Sequence, residues 1–144
     1  MKRHLHSYEQ YRDVWHKYYN DTNFCGVIAV ASAAQVAFGK AYRFLQSAGR
    51  RTRQGTPMQC IRDALLAFGC DVDMDARSDL IGRTLSVAVR ALDKNKTYLV
   101  LVRGHILTVD KGHMVDWTDP TRRHKVKWIW EVTRNFDEIV RTSK

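Results

Sequence analysis

The sequence predicts an α+β domain with its helices first and its sheet second, on three observations. Up to about Leu92 the apolar residues recur at three- and four-residue steps, the spacing of a helix with one buried face. From Thr97 onward β-branched and aromatic residues dominate short runs separated by turn residues. No linker, repeat or low-complexity segment divides the chain, so residues 1–144 read as a single domain. With 44% hydrophobic and 10% aromatic content, 144 residues are enough to close one core.

From Ser7 to Tyr19 the large residues Tyr8, Tyr11, Val14, Trp15, Tyr18 and Tyr19 fall on one helical face. The polar run Asn20 to Asn23 breaks the pattern, and Asn23 is an N-cap type for a helix from Phe24 towards Phe38, which puts Cys25 in the first turn. Gly39 is expected to end that helix and Ala41 to Ala48 to form a short second one. Gly49, Arg50, Arg51 and Arg53 then make a basic loop. Thr56 and Pro57 open a further helix, as cap and first helical residue, with Met58, Ile61, Leu65 and Leu66 apolar and Gly69 as the stop. Leu85 to Leu92 reads as one more. Then "TYLVLVR", "GHILTVDKGHMVDWTDP" and "KVKWIWEV" predict three or four antiparallel strands, with a hairpin turn over Asp110, Lys111 and Gly112.

The formal charge of +9, from 24 Lys plus Arg against 15 Asp plus Glu, favours acidic partners, protein or nucleic acid. Arg50, Arg51, Arg53, Arg122 and Arg123, with Lys125 and Lys127, are the candidate basic patch. Three cysteines without C-x-x-C spacing argue against a disulfide framework or zinc knuckle and suit a reducing compartment, so the expected location is cytoplasmic. The start MKRHLHSYEQYR has no apolar signal core and no run is long enough to span a bilayer, so neither membrane, metal nor cofactor is expected.

A helix N-terminus stabilises an anion within its first turn, and of the three cysteines only Cys25 stands at such a place. A thiolate nucleophile needs a base and a group to orient it, and the hairpin supplies both. With Asp110 and Lys111 as a two-residue turn, His105 faces Asp116; with a bulge at Gly112 it faces Trp117 instead, and Asp119 is the other candidate acid. His4, His6, His16, His113 and His124 have no acid so placed.

A cysteine at a helix start, further helices, then a strand histidine and an acid after it resemble the order of elements in papain-like cysteine peptidases. The pieces "NFCGVIAVASA", "AGRRTRQGTP" and "GHILTVDKGHMVDWTD", from about Asn20 to Trp130, are similar to small papain-fold proteins of bacteriophages and bacteria and to bacteriocin-processing peptidases. The resemblance implies a papain-like fold with the cysteine helix packed on a C-terminal antiparallel sheet, Cys25 as nucleophile, His105 as general base and then acid, and Asp116 holding the imidazole. It implies a peptide or protein substrate, and for a phage protein the host cytoplasm or the virion. Papain-like enzymes usually carry a glutamine before the cysteine to complete the oxyanion hole; here Tyr19 and Asn20 occupy that region, and Asn20 is the candidate donor. Three functions follow for test: a thiol hydrolase acting on a peptide or isopeptide bond, a catalytically silent papain-fold binding module, and a basic nucleic-acid binder.

Overall fold

The computed structural model describes residues 25–51, 54–115 and 124–134. They form helices α1 (Cys25–Ala34), α2 (Phe38–Ser47), α3 (Met58–Ala67) and α4 (Leu85–Ala91), and strands β1 (Cys70–Asp73), β2 (Thr97–Val102), β3 (His105–Asp110), β4 (His113–Met114) and β5 (Val126–Arg134). A 3-10 turn at Ser78–Leu80 precedes α4. The strands build one antiparallel sheet in the order β1-β5-β2-β3-β4. The architecture is α+β, as expected, but the sheet has five strands and draws its edge strand β1 from the middle of the chain. Cys70, expected only to follow a helix stop, opens that strand and is paired with Arg134.

The first helix ends earlier than the expected Phe38. Gln35 adopts the left-handed conformation (φ 57°), and the Val36 N–H reaches back to the Ala31 carbonyl at 3.1 Å, the six-to-one bond of a Schellman ending. Helix α2 then starts at Phe38, so Gly39 lies inside it and terminates nothing. The spacing explains the start: Phe38, Ala41, Tyr42 and Leu45 form the buried stripe, and Phe38 stacks on Tyr42 with ring centroids 6.2 Å apart. Pro57 is the extended residue before α3 (ψ 143°), one position earlier in the helix than expected, so that Pro57 and not Thr56 occupies the cap position. Leu66, expected in the core, is 45% exposed. Helix α4 falls where the spacing put it.

The sheet separates two apolar layers. On one side Leu99, Ile106, Trp130 and Val132 meet α1, α2 and α3. On the other Tyr98, Val100, Val102, Leu107, Val109, Val126 and Ile129 meet Leu80 and the α4 residues Leu85, Ala88 and Leu92. Burial pushes the Tyr98 hydroxyl above its ordinary range on that second side. Beside it Arg77 holds the Asp79 carboxyl below its usual value through a hydrogen-bonded ion pair at 3.0 Å, and is itself raised. No single described helix is long and apolar enough to cross a membrane.

Candidate functional site

Nine of the ten residues of α1 are buried, and the exception is Cys25. A helix wrapped on all sides cannot show an amphipathic period, and CGVIAVASAA shows none. Its small side chains let neighbours come close, above all at Gly26, where a Cβ would stand 2.5 Å from Thr56 Cβ and Oγ1. Glycine inside a helix costs about 1 kcal/mol relative to alanine, and this contact gives it a reason. The same Thr56 hydroxyl accepts the Arg50 Nε–H at 3.1 Å. Arg50 also donates Nη1–H to Gln46 Oε1 at 2.6 Å and lies 5.4 Å from the Tyr42 ring centre. A chain of contacts from α2 through Arg50 and Thr56 thus buttresses the first turn of α1 next to the thiol. The sequence signal for it was the glycine directly after Cys25.

Arg50 is therefore not part of a surface patch. Only 3% of it is exposed, because its guanidinium is used up inside the fold. Arg51, Lys125 and Lys127 are exposed. Arg53, Arg122 and Arg123 lie outside the described residues.

Two polar ties fix the direction of α1 over the sheet. The Thr108 hydroxyl donates to the Ala29 carbonyl at 2.9 Å. One turn further, Arg134 Nη1 donates to the Ala33 carbonyl at 3.0 Å and to Thr97 Oγ1 at 3.3 Å, while Thr97 donates to Asp110 across the β2 and β3 pair at 2.6 Å. The Arg134 charge near the last carbonyls also suits the negative helix end. Helix α1 thus runs in the direction of β3. Four residues of helix and two of strand both advance about 6 Å, so Cys25 comes over the start of β3, where His105 stands.

His105 is partly buried and its Nε2 is shielded from solvent. The tight turn at 103–104 pairs it with Val102, which belongs to the α4 side, as do Leu107 and Val109. Ile106 and Thr108 face α1. Strand alternation therefore sets the Cβ of His105 toward the α4 side, away from the face that α1 covers.

The second hairpin departs from both expected registers. Asp110 pairs with His113 and Val109 with Met114, so the loop is Lys111 and Gly112, both in the left-handed region at φ 52° and 86°. Two positive φ values in succession are the signature of a type I′ turn, which matches strand twist better than a loop at Asp110 and Lys111. The turns from which His105 would face Asp116 or Trp117 are therefore not the turn observed. Asp116, Asp119, Asn20, Tyr19 and Asn23 lie outside the described residues, as does the aromatic segment Ser7 to Tyr19. Among the described residues no group of three or more His, Cys, Asp or Glu side chains is placed to hold a metal ion.

Comparison with models of protein families, with curated proteins and with solved structures finds no match to this chain.

Proposed function

We propose that the protein is a papain-like thiol hydrolase acting on a peptide or isopeptide bond, with Cys25 as nucleophile and His105 as its base. The observation that carries the reading is the placement of Cys25. It is the one cysteine that is not buried, it lies in the first turn of a wholly enclosed helix, and that turn sits over the start of β3. In the proposed reaction the thiolate adds to the carbonyl, the imidazolium gives its proton to the leaving amine, and water, deprotonated by the imidazole, releases the acid from the thioester. Asp116 or Asp119 would orient the ring, and Asn20 would donate to the oxyanion.

The direction of the His105 Cβ favours a second reading, a catalytically silent papain-fold module that uses the same surface for binding. Brief alkylation with iodoacetamide at pH 6.5, followed by mass mapping, separates the two. The hydrolase reading expects Cys25 to be labelled well before Cys60 and Cys70, and His105→Ala to slow that labelling at neutral pH. Labelling of Cys60 or Cys70 first would remove the site. Labelling of Cys25 at the same rate and with the same pH profile in His105→Ala would leave the binding module.

A further inference from the structure

We propose that the sheet end beside Cys25 is the docking surface for an acidic peptide segment, whose one large apolar side chain seats on Trp128. The proposal deepens the hydrolase reading by naming the class of its substrate, and it rests on that reading for the word substrate alone.

Trp128 is 52% exposed, although Trp130 and Val132 on the same face of β5 are buried. It is paired with Leu101, which is partly buried and is in turn paired with Ile106. These three residues make an apolar row across β5, β2 and β3 on the α1 side, at the end where Cys25 lies. A singly exposed apolar side chain is ordinary on a protein surface, and what distinguishes Trp128 is its setting.

The backbone is irregular at this point. Val102 pairs with Val126 and Leu101 with Trp128, so Lys127 is an extra residue in the ladder. Two consecutive exposed residues, Lys127 and Trp128, interrupt a strand buried at Val126, Ile129 and Trp130. A β-bulge re-aims side chains, and this one leaves a lysine and a tryptophan exposed at successive positions. Lys125 and Arg103, on the turn between β2 and β3, are exposed near the same end. An apolar seat with cations around it complements an apolar side chain flanked by carboxylates.

A nucleic-acid strand fits less well. Base-stacking platforms present successive aromatic side chains along a basic groove. Among the described residues Trp128 is the only exposed large aromatic, and its neighbour in the row is the aliphatic Leu101.

The experiment uses the full chain with Cys25→Ala, so that nothing is consumed, and fluorescence anisotropy of a short fluorescein-labelled peptide with one phenylalanine between glutamates. Comparison probes replace the glutamates by lysines, or the phenylalanine by serine, and an oligothymidylate of similar length is the nucleic-acid arm. Trp128→Ala should weaken the acidic phenylalanine peptide by about tenfold or more, the loss typical of a central aromatic anchor, and Trp128→Tyr should keep most of the binding. Lys127→Glu should weaken it several-fold, and the loss should shrink as salt is added. Binding unchanged in Trp128→Ala, or equal binding of the serine peptide, overturns the proposal. Tighter binding of oligothymidylate with the same dependence on Trp128 also overturns it and puts a nucleic acid on this surface. A peptide that binds through Trp128 but that the wild-type chain never cleaves leaves the docking surface standing and removes the hydrolase. Cleavage that proceeds unchanged in Trp128→Ala does the reverse.

Discussion

Leu107 and Thr108 are neighbours on β3, and they face two differently built halves of the molecule. Leu107 points into an aliphatic layer closed by α4, where volume does the work. Thr108 points at α1, where the helix is held by small side chains in close approach and by hydroxyl and guanidinium bonds to its carbonyls. The first half can tolerate changes of shape that conserve volume. The second has little freedom, because a polar tie or a missing Cβ specifies position as well as affinity. That is the half that carries Cys25, and a site whose groups must be held to a fraction of an ångström gains from such rigid support.

The largest effect should come from the aliphatic half. Leu107 is fully buried, and Leu107→Ala should lower unfolding stability by about 2–5 kcal/mol through lost transfer energy and the cavity left behind. Urea unfolding checks it, as a lower midpoint at unchanged slope. The comparison predicts more: in the folded fraction, Cys25 should react with iodoacetamide at the wild-type rate. A slowed thiol would mean that the two halves are coupled through β3.

Gly26→Ala should cost less, about 1–3 kcal/mol, as the new methyl forces Thr56 and the segment before α3 outward. Here the reactivity of Cys25 should change along with stability, since Thr56 braces the turn that carries the thiol. Combining Gly26→Ala with Thr56→Ser should recover little, because serine keeps the Cβ and the hydroxyl oxygen that crowd the new methyl. If Gly26→Ala unfolds at the wild-type midpoint, the close approach is not a constraint.

The smallest effect belongs to the rim of the aliphatic half. The Arg77 guanidinium, hydrogen-bonded to Asp79, holds that carboxyl below its ordinary value of 3.8. A depressed carboxyl contributes stability above its unfolded value and loses it as pH falls through the folded one. Asp79 is exposed, so the contribution is small and screened by salt. Asp79→Asn should therefore differ slightly from wild type near neutral pH in low salt, and the two should converge below pH 3.8 or in high salt. A difference that grows in acid would contradict the ion-pair account.

Much of the fold was legible wherever a single side of an element is buried. The stripes of α3 and α4 and the β-rich last third stand out because burial on one side imposes a period. Helix α1 resisted such reading at its far end: enclosed on all sides, it has no period to lose, and its stop is a left-handed Gln35 where a glycine is the usual signal. Strand β1 was invisible because four residues, CDVD, with two aspartates at an edge, carry almost no β signature until β5 pairs with them. Arg50 looked like surface because a basic run normally is.

The candidate site divides along the same line. That Cys25 stands in the first turn of a helix, and that a histidine opens a strand in the sheet, followed from local pattern, because caps, turns and periodicity are properties of adjacent residues. The sequence alone also determined the α+β order and the strongly basic charge. Only the tertiary structure decided that α1 runs along β3, that Thr56 closes on Gly26, that Arg50 is buried, and that Trp128 is left in water beside Leu101. Each of these depends on residues far apart in the chain meeting in one register, and moving a turn by a single residue, as at Lys111 and Gly112, changes every cross-strand partner by two places.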